Sequence, residues 1–162
     1  FIPPHASYDD MLKKELAWMR RADLCVHLNS EEDADFRRLL PQSRHALVFP
    51  AVPEVTRARG RNIIIVASDN YANYVSIRWL LQEVMPLAGD ARVEIYGNID
   101  RGVKQRDPTL FEAHRYLFRG RVENIGAVYA AAGCVLLPTV EGHGLSIKAV
   151  EALSCGAPLV AT

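Results

Sequence analysis

The chain has no net charge: 19 Lys and Arg residues offset 19 Asp and Glu residues over 162 positions. Without a global field nothing draws it onto nucleic acid or an anionic membrane surface, so any anion it binds must be held by local groups. Cysteine is scarce. Cys25, Cys134 and Cys155 are an odd set without metal-ligand spacing, each in or beside an apolar element, which argues against a disulfide framework and for reduced thiols in a cytosolic protein. No apolar run approaches the ~20 residues that span a bilayer, and the N-terminus lacks the charged-then-apolar order of a signal peptide. No strand-like run is followed by Gly-x-Gly-x-x-Gly, which opposes a dinucleotide-binding domain of the dehydrogenase type. The opening Phe1 and the stop at the end of a strand-like run give the sequence the look of a segment cut from a longer chain.

What is present is ordinary globular material. The chain is 49% hydrophobic and 23% charged, which excludes disordered and collagen-like classes, and its length suits one full domain or one domain plus part of another. Helical and strand periods alternate along it. Leu12, Leu16 and Met19 mark a helix over residues 8–21, and residues 24–28 read as a short strand. Ser30 followed by Asp33 resembles a capping box that opens a helix with Phe36, Leu39 and Leu40 on its apolar side and Pro41 at its end. Residues 46–49 are strand-like. The segment 50–61, with two prolines, one glycine and three arginines, has no period and is expected to be an interdomain linker.

Beyond it, residues 62–67 form a β-branched run of the kind found in buried parallel strands. A helix is expected over residues 73–87, with Ile77, Leu80, Leu81 and Val84 inward. Strands are expected at 92–96 and 116–119, a helix at 124–132, a strand at 134–137, a short helix after Gly144, and a last strand at 159–161. Repeated strand–helix units predict an α/β fold with a doubly wound parallel sheet, and in such sheets ligands sit at the carboxyl ends of the strands. The loops that matter are then 68–73, 97–102, 120–124 and 139–146.

Residues 138–162 are the most informative stretch. A Gly-flanked loop feeds a short helix that stops at Gly156 and passes through Pro158 into an apolar strand. Such a turn directs backbone N–H groups and the positive end of a helix at one point, while Lys148 and Glu151, three apart, share a face. That arrangement suits a phosphate with a hydroxyl-bearing group beside it.

The segment Gly144-Leu-Ser-Ile-Lys-Ala-Val-Glu-Ala-Leu-Ser-Cys-Gly-Ala-Pro-Leu-Val-Ala-Thr162 resembles the signature of the retaining nucleotide-sugar glycosyltransferases of the large family 4, among the glycosyl transferases group 1, which have the two-domain GT-B fold. Ala22-Asp-Leu-Cys-Val-His-Leu-Asn-Ser30 is similar to the end of that family's first domain. Val66-Ala-Ser-Asp-Asn-Tyr-Ala-Asn73, Leu80-Leu-Gln-Glu-Val-Met-Pro86 and Phe118-Arg-Gly-Arg-Val122 are similar to parts of its second, in the right order. The resemblance implies a closing portion of an acceptor-side Rossmann-like domain at 1–50, a linker at 51–61 and a truncated nucleotide-sugar-binding domain at 62–162.

It also implies roles. Glu151 would accept hydrogen bonds from the ribose hydroxyls, a sensible task for a carboxylate. The diphosphate would lie against the amides of Gly144, Leu145 and Ser146, with Lys148 supplying positive charge as the leaving group departs. The base would rest on the loop holding Arg121 and Val122, and Asp69 and Asn70 would border the donor site. His143 stands where many relatives have a second glutamate that contacts the donor sugar; Glu141 is two residues out of register. The loop 68–73 lacks the arginine and lysine that many relatives carry there, for which Lys148 or Arg78 would compensate. No cofactor or metal is expected. The partners implied are a nucleoside-diphosphate sugar and a glycan, lipid or small-molecule acceptor, with no nucleic acid. The resemblance further implies a hexosyl-type transfer in polysaccharide or glycoconjugate biosynthesis in the cytoplasm, with room for peripheral membrane contact at the inner face through a region preceding Phe1.

Each of these residues also has a plain structural alternative. Lys148 and Glu151 form a helical ion pair in that reading, worth a few tenths of a kcal/mol. His143 is a loop residue between glycines, Asp69-Asn70 is a turn that opens a helix, Arg119 and Arg121 are solvated, Cys155 packs, and Tyr71, Tyr74 and Trp79 are spaced for helix burial. For the whole chain the alternative to a transferase is a nucleotide-sugar-binding module with weakened catalysis.

Overall fold

The computed structural model describes residues 7–51, 58, 60–141 and 146–162. The expectations for His143, Gly144 and Leu145, and for most of the linker, lie outside them. The chain forms two compact units, Phe1–Ala51 and Val52–Thr162.

In the first unit, α1 (Tyr8–Met19) is followed by β1 (Cys25–His27), α2 (Ser30–Leu39) and β2 (His45–Leu47), and the two strands pair in parallel. The N-cap of α2 is Asn29 rather than Ser30: its Oδ1 accepts from the Glu32 N–H at 2.8 Å, so the helix begins one residue earlier than the Ser–Asp pattern predicts. Phe36 and Leu40 are buried together with Cys25 and His27. Inside, the His45 Nε2 lies 3.0 Å from the Leu40 carbonyl, which can only accept. That nitrogen therefore carries the proton, and His45 Nδ1 accepts from His27 Nε2 at 2.9 Å. The second ring nitrogen of each partner is thus decided by a single backbone carbonyl.

The second unit holds a five-stranded parallel sheet in the order β5-β4-β3-β6-β7, with β3 (Ile63–Val66), β4 (Val93–Tyr96), β5 (Phe118–Gly120), β6 (Cys134–Leu137) and β7 (Leu159–Ala161). Because strand residues alternate between faces, two cores form. Ile65, Val93 and Ile95 face α3 (Tyr71–Trp79), α4 (Ile99–Arg106) and α5 (Pro108–His114) through Ile77, Val103, Leu110 and Phe111. Ile64, Val135 and Leu137 face α6 (Ile125–Ala131) and α7 (Ile147–Ser154) through Tyr129, Ala152 and Cys155. The β-branched run at 62–67 is buried on both faces, as helices covering both sides require.

Three departures from the sequence pattern have local causes. The expected helix 73–87 starts earlier, at Tyr71, because Asn70 Oδ1 accepts from the Asn73 N–H at 2.8 Å. It also changes pitch, running as π-helix over Leu80–Val84 and as a 3-10 turn over Met85–Leu87, where Pro86 removes a donor. The stretch 97–102 is only partly a loop, since Ile99 opens α4, and α4 and α5 were not expected at all. Their signals are in the sequence: Ile99 and Val103 four apart, then Asp107 as N-cap with Pro108 in the first turn, the Asp107 Oδ1 accepting from the Leu110 N–H at 3.0 Å.

Candidate functional site

Strand β3 sends its crossover through α3 to β4 on one side, while β6, on its other side, is reached from β5 through α6. The connection reverses direction between β3 and β6, and the crevice at their carboxyl ends is where a doubly wound sheet places its ligand. A small cavity opens there, lined by Val66, Ala67, Asn73, Ser76, Thr139 and Lys148 among others. The loops around it are closely tied. Asn73 Nδ2 donates to the Ser68 carbonyl at 2.9 Å and to Ser68 Oγ at 3.2 Å, and the Val140 N–H donates to Ser76 Oγ at 3.2 Å.

Helix α7 delivers the polar groups. Ser146 is its N-cap, with Oγ accepting from the Ala149 N–H at 3.3 Å, so Lys148 falls in the first turn. A cation there opposes the helix dipole. Lys148 Nζ nevertheless points into the cavity and donates to Asn73 Oδ1 at 3.0 Å. Burial holds its ionisation below the ordinary lysine value, and the negative charge of Glu151 acts against that shift. One turn on, Glu151 Oε2 accepts from the Tyr129 hydroxyl at 2.9 Å. Lys148 and Glu151 therefore form no ion pair with each other in the described residues. Each is engaged by a neutral partner from another element, and the helical ion-pair alternative fails.

The remaining expected residues divide. Asn70 is the cap of α3, and Asp69 is held by Arg106, whose Nη1 donates to Asp69 Oδ1 at 2.8 Å while Asn98 Oδ1 accepts from the Asp69 N–H at 3.0 Å. A side chain at Gly102 would collide with the Asp69 carboxylate and Arg106, so the missing Cβ leaves room for this pair across α4. Arg121 is exposed and Val122 partly buried in the loop after β5. That loop begins at Gly120, with φ of 69°, whose carbonyl accepts from the Gly97 N–H at 2.8 Å. Arg78 bonds Gln82 along its own helix at 3.1 Å on the exposed side, and no contact brings it to Lys148. Arg119 is not merely solvated, since its Nε donates to Glu94 at 3.1 Å. Of the three aromatic residues, Tyr74 is buried and Trp79 partly so, but Tyr71 is exposed, because the helix starts there and its first residue faces outward.

Tyr129 and Asn73 are the partners that sequence reasoning did not single out. Asn73 stands at the expected start of a helix and Tyr129 within one, and only their hydrogen bonds to α7 give them a role. The three cysteines are free thiols; Cys25 and Cys155 are buried, and burial raises the Cys155 ionisation. Among the described residues no helix is long and apolar enough to cross a membrane.

Comparison with known proteins agrees with this geometry. The profile of the glycosyl transferases group 1 matches residues 60–162. The chain belongs to that family. No curated protein sequence matches the chain. Among solved structures, the pneumococcal O-GlcNAc transferase GtfA in complex with UDP and GlcNAc superposes with a TM-score of 0.65 at 17% identity, covering 91% of this chain and 31% of GtfA. A variant of S. aureus TarM in complex with Fondaparinux, alpha-GlcNAc-glycerol and UDP gives 0.66 at 13% identity, covering 97% and 34%. A GtfA/B complex gives 0.57 at 18% identity, covering 98% and 35%. These likenesses establish the shared GT-B fold, and this chain spans about a third of the length of each structure.

Proposed function

We propose that residues 62–162 are the donor-binding half of a retaining, hexosyl-type glycosyltransferase of family 4, acting on a nucleoside-diphosphate sugar. Residues 1–50 would close the acceptor-side domain. The observation that carries this reading is the pair of polar side chains on α7 at the switch point: a half-buried cation in the first turn, facing the cavity, and a carboxylate one turn behind it. A lysine that is both desolvated and set against the helix dipole is poorly accounted for by stability, and well accounted for by an anion in front of it. Diphosphate supplies that anion. Glu151, next on the same face, is then placed to accept from the ribose.

On this reading, an acceptor hydroxyl oxygen bonds the anomeric carbon as the bond between that carbon and the diphosphate oxygen breaks, and the hydroxyl proton passes to the departing diphosphate. Charge grows on the leaving phosphate, and Lys148 together with the amides that open α7 stabilises it more in the transition state than in the ground state. These groups take the part that a bound metal plays elsewhere, and the reading includes no metal. His143 would contact the sugar. UDP in complex with GtfA and TarM supports a nucleotide donor here. The reading takes a glycan, lipid or small-molecule acceptor and places the reaction in the cytoplasm, in glycoconjugate synthesis.

A second reading, a nucleotide-sugar-binding module with weakened catalysis, is favoured by the β3–α3 loop, whose polar groups bond one another and which contains no cation. Incubating the full-length protein with labelled donors tests the choice. Product formation supports the transferase, stabilisation by donor without product supports the module, and absence of both removes the nucleotide-sugar reading.

A further inference from the structure

We propose that Tyr129 is a positioning residue for nucleotide recognition: its hydroxyl fixes the Glu151 carboxylate so that the site selects ribonucleotides over their deoxy forms. The inference rests on the reading of Glu151 as the ribose acceptor. Tyr129 lies on α6, is 1% exposed, and has its ring within the core shared by α6, α7 and the sheet. Its hydroxyl donates to Glu151 Oε2 at 2.9 Å. A buried tyrosine hydroxyl needs such a partner, so the bond is obligatory for Tyr129. It is not obligatory for Glu151, which is only partly buried and whose Oε1 has no partner among the described residues.

The arrangement divides the carboxylate into an anchored oxygen and an available one. A free glutamate has three side-chain torsions to immobilise when it binds a diol, whereas one tied to a rigid, fully packed ring has already lost most of that freedom. Burial, followed by the bond to Glu151 and its charge, pushes the Tyr129 ionisation far above the ordinary tyrosine range, which keeps the hydroxyl a donor across the working pH. The position of α6 adds a second link. Its N-cap Asn124, accepting from the Ala127 N–H at 3.0 Å, ends the loop assigned to the base. The Tyr129–Glu151 bond thus couples the element under the base to the residue on the ribose.

Calorimetry on the full-length protein tests this with UDP, GDP and ADP, each beside its 2′,3′-dideoxy counterpart. Wild type is expected to prefer the ribo form. Tyr129→Phe, which keeps the ring and removes only the hydroxyl, should weaken the best-bound ribonucleotide by about tenfold while changing the dideoxy form by less than about twofold. In a Glu151→Ala background the same change should add nothing. Equal losses for both sugars, unchanged ribonucleotide affinity, or a Tyr129→Phe protein that no longer folds would each reduce the bond to a clamp between helices and overturn the inference. Wild-type protein that binds ribo and dideoxy forms alike would remove the ribose role of Glu151 itself, and this inference with it. Wild-type discrimination that survives Tyr129→Phe removes the inference alone.

Discussion

At the scale of the residue, Glu151 and Lys148 show how one helix face can carry two opposite demands. Glu151 is stabilised by a neutral donor, and a second set of donors on a ribose would complete its hydrogen bonding. Truncation leaves both sets unpaired, so Glu151→Ala is expected to weaken nucleoside-diphosphate binding by about 1.5–3 kcal/mol, with Glu151→Gln retaining part of it. Calorimetry on the full-length protein measures this, and unchanged affinity would end the assignment. Lys148 is held in a position that costs it solvation, as its lowered ionisation indicates. Lys148→Ala should therefore lower turnover by about 10² to 10³-fold, more than it lowers donor affinity, while leaving the melting temperature nearly unchanged.

The same lysine gives a signed pH dependence. Its folded-state value lies below the ordinary 10.5, so as pH rises toward 10.5 the folded protein releases this proton first and the unfolded chain binds more. The cost of burying the charge is fully present at lower pH and is relieved in that alkaline window. Melts across the window are expected to show wild type gaining stability relative to Lys148→Met as pH increases. A difference that stays flat with pH would show that the ammonium is not desolvated in solution.

At the scale of the element, the ends of the strands are set by glycines whose backbones other residues cannot adopt. Gly97, just past β4, has φ of 108°, and a Cβ built there would run into the Ala67 carbonyl at the end of β3. Gly97 N–H also bonds the Gly120 carbonyl, so one residue fixes the spacing of three neighbouring strand ends. Gly97→Ala is expected to cost at least ~2 kcal/mol in denaturant unfolding, combining left-handed backbone strain with the clash. The helices illustrate the opposite economy. Asn29, Asn70, Asp107, Asn124 and Ser146 each cap a helix with their own side chain, and this local chemistry sets where the helices begin.

At the scale of the whole molecule, the sheet of the second unit stays in place because its central strands are covered on both faces. Ile95, fully buried on β4 with β3 and β5 as neighbours, sits against the α3–α5 layer. Ile95→Ala should cost about 2–5 kcal/mol, read from urea denaturation monitored by circular dichroism, because the surrounding layer cannot collapse into the space. In the first unit the same parallel pairing is present with two strands, and its buried His27 bonds the half-buried His45, which in turn bonds the Leu40 carbonyl.

Local sequence was enough to determine the alternation of strand and helix, the parallel sheet and the family signature around Glu151, because a period of two or 3.6 residues, a cap or a buried β-branched run acts through neighbours in the chain. Boundaries slipped where two adjacent polar residues compete for one role: Asn29 rather than Ser30 caps α2, and Asn70 starts α3 ahead of the expected residue. Helices α4 and α5 went unread because their apolar residues are few and interrupted by charge, although Asp107-Pro108 marked the second of them. Tertiary structure alone decided which partners the site residues take. Asn73 and Lys148 are 75 positions apart, and Tyr129 and Glu151 are 22. No pattern in the chain specifies those contacts; they exist because α3 covers one face of the sheet while α6 and α7 pack side by side on the other, and α3 and α7 both begin at the carboxyl edge where the strand order reverses.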